Sequence, residues 1–215
     1  MNAQALLARL EQGISRLDPS LKAVLASNKG AAFEALVMYE VGQNLHLNHS
    51  WDWNNPGGRV VFSARSGCSV DDALATYSTI SKGNFVLLPS ATIVGRSEST
   101  HDVDLVLLDT TGRQVDSWTA VRAVIECKNV TDARGPGTAR DLVGLAAELR
   151  LGKQYRLHAS KPFNRGGLVA AHKVTSSAVQ ILHEWKLHHV PGFLPTTGEV
   201  LAAPALADWV QAATH

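Results

Sequence analysis

The sequence predicts an α/β fold, a mixed central β-sheet flanked by helices. Three observations carry that expectation. Apolar residues recur at helical spacing through the first 45 positions. Residues 85–127 are a series of short apolar, β-rich runs parted by turn residues. From about residue 139 onward, helical and strand-like segments alternate.

The elements follow in order. Leu6, Leu7, Leu10, Ile14 and Leu17 keep a helical period, so residues 3–17 read as an amphipathic helix ended by Asp18-Pro19-Ser20. A second helix is expected over about 31–45, with Phe33, Leu36, Val37, Val41 and Leu45 on its apolar face. Residues 46–58 are rich in Asn, Gly and Pro and read as a loop. Arg59–Ala64 reads as a short strand and Val70–Lys82 as a helix, with Asp71 and Asp72 suited to its first turn.

Phe85–Leu88, Ala91–Val94, Val103–Leu108 and Trp118–Cys127 are expected strands, with a hairpin-like turn at 109–113. A helix over about 139–151, a strand at 168–171, a helix at 174–186, a strand at 188–190 and a last helix from Pro204 complete the chain. No repeat or internal boundary interrupts it. The expectation is one domain with its core over about 28–190, and with the first helix and the C-terminal tail as appendages.

Composition excludes several classes. With 215 residues, 45% of them hydrophobic and 18% charged, the chain is neither disordered nor fibrous. Cys68 and Cys127 are too few for a disulfide framework or a four-cysteine zinc site. No apolar run is long enough for a transmembrane helix. The N-terminal apolar stretch is cut by Arg9 and Glu11 and lacks a basic leader, unlike a signal peptide. The expected compartment is therefore the cytoplasm, with no membrane partner.

Net charge is only +1, but it is unevenly spread. Residues 134–173 hold eight basic and two acidic side chains, a local +6, between flanks of −3 and −2. Such a block suits a phosphate backbone or a solvated helix and loop.

One constellation carries chemistry. Asp104 leads into the apolar run Leu105–Leu108, and Glu126-Cys127-Lys128 ends another apolar run. On a strand, Glu126 and Lys128 share one face, roughly 6–7 Å apart, and Cys127 points the other way. Burying acids and a base at such a place is costly unless they pair or bind a metal. If the two strands are neighbours, two carboxylates and one ammonium converge, and a hard cation relieves the carboxylate repulsion. Mg²⁺ takes oxygen ligands of this kind.

Asp104, then Glu126-x-Lys128 on the next strand, with a glutamate on an upstream helix, resembles the PD-(D/E)xK nuclease superfamily. The resemblance covers about residues 28–190 and implies a restriction endonuclease-like core. Val103 stands where the superfamily's name puts proline. The segment from Lys29 to Met38 resembles the superfamily's first core helix. By this resemblance Asp104, Glu126 and Glu34 would hold Mg²⁺ or Mn²⁺, and Lys128 would be the catalytic lysine assisting water. It implies a metal-dependent endonuclease hydrolysing DNA phosphodiester bonds, in restriction, recombination or repair. The alternative is a catalytically inactive nuclease-fold protein that binds DNA or a partner protein. Arg140, Lys153 and Arg156, in and after the following helix, are the expected phosphate contacts. So small a surface leaves sequence readout to a second copy of the chain or to a specificity partner.

Each of these residues also has a plainer reading. Glu126 and Lys128 form a surface pair, Glu34 a solvated helix position, and Asp104 a turn cap. Asp102 shares the face of Asp104 and rivals it as a ligand, and Glu40 is a weaker alternative to Glu34. His46 and His49 lack the companions of a zinc site. His101 either contacts substrate or merely ends a strand. Trp51 and Trp53 either stack on bases or pack their loop onto the body, and packing is the expectation.

Overall fold

A computed structural model describes residues 3–14, 17, 19–63, 67–112, 114–129, 136–151, 165–171, 173–193 and 202–214. Its centre is a seven-stranded mixed sheet whose strands lie side by side in chain order. Strands β1 (Asp52–Asn54), β2 (Thr79–Lys82), β3 (Phe85–Val94), β4 (Thr100–Asp109) and β5 (Val121–Lys128) form an antiparallel meander. Strands β6 (Arg165–Ala170) and β7 (His188–Val190) continue the sheet parallel to β5. A parallel step needs a crossover. Helices α5 (Pro136–Glu148) and α6 (Ser176–Glu184) supply the two.

The pleat sends alternate side chains to opposite faces, and each face has its own apolar core. On one face Leu87, Leu105, Leu107, Ile125 and Cys127 pack under α1 (Ala3–Gly13), α2 (Pro19–Ser27), α3 (Lys29–His49) and α7 (Ala202–Gln211). On the other, Leu88, Val106, Val124 and Leu168 pack under α4 (Val70–Thr76), α5 and α6. Helix α3 is the pillar of the first core. Asn28 caps it, accepting from the Gly30 and Ala31 amides at 3.0 and 3.1 Å. Ten of its residues are buried, and within Ala31–Met38 Glu34 is the one charged side chain. Leu6 and Leu10 of α1 and Leu206 and Val210 of α7 belong to the same core.

Several expected elements differ. The first helix stops at Gly13, and Pro19–Ser27 forms its own helix. Helix α3 runs on to His49 and ends at Ser50 (φ 58), and β1 follows, so 46–58 is not all loop. Within Arg59–Ser63 there is no strand, only a single bridge from Val60 to Leu17. The helix expected over 70–82 breaks at Tyr77, whose backbone is extended. Residues 79–82 then become β2, because Ile80 is buried and pairs with both Trp53 of β1 and Leu87 of β3. The two runs at 85–88 and 91–94 are one strand, kinked at Ser90 (φ 54). Trp118–Ala120 turns before β5 begins.

Candidate active site

The sheet splits where the acids lie. The β4–β5 ladder runs from Leu108 to Leu105 opposite Val121 to Ile125 and then stops. Beyond it, Thr100–Val103 pair with β3 alone, and Glu126–Lys128 pair with β6 alone. Asp104 stands at the mouth of this fork.

The pleat also changes phase there. Val103 and Val106 both join the core beneath α5, although strict alternation would separate them. On β3, Ser90 drops out of the register between Pro89 and Ala91 and takes its positive φ. The Ser90 carbonyl instead accepts from the Cys68 amide, 3.4 Å, and thiol, 3.0 Å. Ser90 and Asp104 thus face each other as one unpaired residue on each strand, with the register unchanged on either side.

The Asp104 carboxylate takes over a missing ladder bond, its Oδ2 accepting the Cys127 amide at 2.7 Å. The same oxygen lies 3.6 Å from the Lys128 ammonium. Lys128 Nζ donates to Glu126 Oε2 at 3.0 Å. Sequence positions 104, 126 and 128 therefore converge, with the ammonium between the two carboxylates. Glu34 enters the same electrostatic field from α3, where Asp104 and Glu126 repel its charge and Lys128 attracts it.

The electrostatics are strained. Burial, then the Asp104 charge, push Glu34 up to about 7, against the pull of Lys128; Glu126 adds to the rise. Burial and Asp104 likewise push Glu126 up to about 7, with Lys128 opposing. Burial would lower the Lys128 pKa, but Glu126 and Asp104 outweigh it and hold the ammonium above its usual value. Cys127 points away, is buried, and has its thiol raised well above normal by burial and the nearby carboxylates. It is a packed strand cysteine and not a thiolate nucleophile.

Glu126 and Lys128 line a cleft of about 600 Å³ between β4 and α5. Arg140, exposed on α5, lines it too, as do Asp102 and His101. Asp102 accepts from Thr92 Oγ1 at 2.8 Å. His101 Nε2 is buried 3.9 Å from Glu148. Thr138 and Asp141 of α5 are cleft residues that sequence reasoning missed, and Asp141 adds to the rise at Glu126. Their one signal was position: they open the helix that follows the Glu-x-Lys strand.

Other expected residues go elsewhere. Lys153 and Arg156 lie outside the described residues. Glu40 pairs with Arg9 at 3.1 Å. His46 Nδ1 lies 2.6 Å from the Trp51 carbonyl, and His49 pairs with Asp208 at 2.8 Å, both on the last turn of α3. Trp51 is fully buried and donates to Gln211 at 2.7 Å, as packing requires. Among the described residues, no three His, Cys, Asp or Glu side chains are grouped to hold a metal ion. In the fork the lysine ammonium fills the space between Asp104 and Glu126. Among the described residues no helix is long and apolar enough to cross a membrane.

No protein-family profile matches the chain, and no curated protein matches it. Among solved structures, the chain is similar to the crystal structure of protein VC1899 from Vibrio cholerae, with a TM-score of 0.45 and 14% identity. The match covers 91% of this chain but 37% of that one, so the chain spans little more than a third of that protein's length.

Proposed function

We propose that the chain is a metal-dependent endonuclease of PD-(D/E)xK type that hydrolyses DNA phosphodiester bonds in the cytoplasm. The observation that carries the reading is the meeting of Asp104, Glu126 and Lys128 at the β4–β5 fork, with Glu34 in the same field.

The donor set suits a hard divalent cation such as Mg²⁺ or Mn²⁺. Asp104, Glu126 and Glu34 offer only oxygens, and burial plus mutual repulsion strain two of the three carboxylates. These three residues would hold the ion, which when bound polarises a phosphodiester and acidifies a water.

The chain's own groups supply the rest. Lys128 stays protonated in this field, so it acts as a donor and not as a base. Its N–H groups orient a water or meet negative charge growing on the phosphate. Glu34 and Glu126, pushed up to about 7 without a cation, would be held ionised by the one they bind. Arg140 on the cleft wall gives a cation for the backbone of the DNA. A second copy or a partner protein would add the sequence readout that one small cleft lacks.

One observation favours a second reading. The acids and the lysine satisfy one another without any ligand, which also suits an inactive nuclease-fold protein that binds DNA or a partner.

The deciding experiment incubates linear, circular and branched DNA with the full chain, with Mg²⁺ or with chelator. Lys128→Ala and Asp104→Ala proteins run alongside. Metal-dependent cutting lost in both variants supports the nuclease. Binding without cutting by the unaltered chain replaces it with the second reading.

A further inference from the structure

The end of β5 is tied on three sides. Asp104 of β4 accepts the Cys127 amide at 2.7 Å. The Lys128 carbonyl accepts the amide of Ala171, just past β6, at 3.0 Å. The third tie comes from Asn129, the residue after Lys128. Its Nδ2 donates to the Lys29 carbonyl at 2.8 Å, across 100 positions of sequence. Lys29 is the first residue of α3. Among the described residues, this is the one hydrogen bond that joins α3 to the end of β5.

The donor is an unusual choice for its place. Asn129 is only 9% exposed, and the other buried polar side chains among the described residues are serine and threonine hydroxyls. Leaving a buried amide unpaired costs about 1–3 kcal/mol, so the bond to Lys29 is what makes asparagine tolerable here. Elsewhere α3 meets the sheet through apolar groups. Phe33, Leu36 and Val37 share one core with Leu105, Ile125 and Cys127. Apolar burial is non-directional and resists separation more than sliding. A hydrogen bond fixes both a distance and an angle. Glu34 lies five residues after Lys29, roughly 7.5 Å further along the helix axis. Ala31, Ala32 and Phe33 between them are buried, so this stretch moves as one rod.

From this geometry we infer that Asn129 is a positioning residue: it sets the register of α3 on β5 so that Glu34 meets Asp104 and Glu126 at one point. The inference rests on the nuclease reading and deepens it. The Asn129 amide is spent on α3, yet it governs whether three carboxylates on three elements fit one cation. Mg²⁺ demands near-ideal octahedral geometry, with oxygens at roughly 2.0–2.1 Å. A small slide of α3 would therefore remove Glu34 from the set.

The test uses the full chain, first without DNA. Calorimetry and Mn²⁺ electron paramagnetic resonance give the Mn²⁺ affinity of the unaltered chain and of Asn129→Ala, Asn129→Asp and Gly42→Ala. Asn129→Asp keeps the size of the side chain but turns an acceptor towards the Lys29 carbonyl. Gly42 lies further along α3, where a Cβ would overlap the Trp53 ring. That ring lines a separate, uncharged pocket of about 230 Å³ with Tyr39, Gln43 and Asn55. Gly42→Ala therefore loosens the same helix away from the fork. Urea unfolding shows that each variant is folded and ranks its stability.

Both Asn129 variants bind Mn²⁺ about 10- to 100-fold more weakly, the usual cost of losing a group that orients a metal ligand. They need correspondingly more Mg²⁺ for half-maximal DNA cleavage, while their affinity for DNA in chelator matches that of the unaltered chain. Gly42→Ala binds Mn²⁺ like the unaltered chain even where it is the less stable protein. The inference is overturned if the Asn129 variants bind Mn²⁺ as tightly as the unaltered chain. It is equally overturned if Gly42→Ala weakens Mn²⁺ binding as much, since the bond would then act through stability alone. Failure of the nuclease reading looks different: the unaltered chain itself binds no Mn²⁺ and cuts no DNA, and the inference falls with it.

Discussion

The fork between β4 and β5 and the pocket beside β1 treat buried polar groups in opposite ways. In the fork, charged groups answer one another: Lys128 reaches both Glu126 and Asp104, and Asp104 also takes the Cys127 amide. In the pocket, neutral groups stand unanswered: the Trp53 N–H and Asn55 Oδ1 have no partner among the described residues. The difference is energetic. An isolated buried charge costs far more than an isolated buried dipole. A charged site must therefore complete itself before any ligand arrives, and its remaining strain appears as carboxylates near 7. A neutral dipole can be tolerated alone, and its strain appears as a missing hydrogen bond.

The largest expected effect breaks the charged side. Lys128→Ala and Asp104→Ala each lower DNA cleavage about 10²- to 10³-fold, the usual cost of removing a group that meets transition-state charge. Turnover with saturating DNA and Mg²⁺ measures it. A fall below tenfold would mean that the fork is not where the chemistry occurs.

Next comes the strain itself, read as stability against pH. Glu34 binds its proton more tightly folded, at about 7, than unfolded, at 4.5. The folded state therefore holds more protons between those values. Stability falls as pH rises through this window and levels off above it. Glu34→Gln removes this residue's share, with that of Glu126 remaining, and stabilises the metal-free protein by up to about 3 kcal/mol at pH 8. The gain shrinks to below about 1 kcal/mol at pH 5. Urea unfolding at the two pH values checks the sign. Adding Mg²⁺ at pH 8 narrows the gap between the two proteins if the carboxylates share the ion.

The neutral side is sharpened by Gly42→Ala. The new methyl meets the Trp53 ring, costs about 1–3 kcal/mol of stability by overpacking, and displaces a wall of the pocket. Chemical denaturation checks it, and DNA cleavage by the folded variant stays unchanged.

Arg140→Ala is the mildest change. Its cation lines the cleft but lies outside the fork's pairs. DNA binding should weaken evenly across sequences, with the salt slope reduced by about one unit. Affinity measured across a salt series checks it, and a sequence-dependent loss would recast Arg140 as a base reader.

How much was legible follows the same division. Glu126 and Lys128 lie two residues apart, and strand periodicity alone puts them on one face. Asp104 was visible as an acid opening an apolar run, and Glu34 only through the resemblance of the Lys29–Met38 segment to a core helix. The fork was not visible. It arises because β5 leaves β4 for β6 beyond Ile125, and because Ser90, at positive φ, and Asp104 opposite it drop out of the β3–β4 pairing. Neither event has a local sequence mark beyond the Pro89-Ser90 break. Residues 79–82 were misread because their apolar spacing continues the helix, and only pairing with β1 and β3 makes them a strand. Trp53 was read as a ring that stacks on bases or packs its loop and Asn55 as a loop residue; their missing partners were not legible, since a missing partner is a property of three-dimensional neighbours.

The sequence by itself determined the α/β class, the meander followed by helix-linked strands, and the acid–acid–lysine set. Those rest on local periodicity and side-chain chemistry, which each segment carries with it. Tertiary structure alone decided that Asp104 turns into a fork and that Glu34 crosses from another helix into its field. It also decided that Thr138, Arg140 and Asp141 face Glu126 across a cleft, and that two aromatics and an amide enclose an uncharged pocket. Those depend on which strands stop pairing and on which helix covers which face, and they are settled only when burial and hydrogen bonding are satisfied over the whole sheet at once.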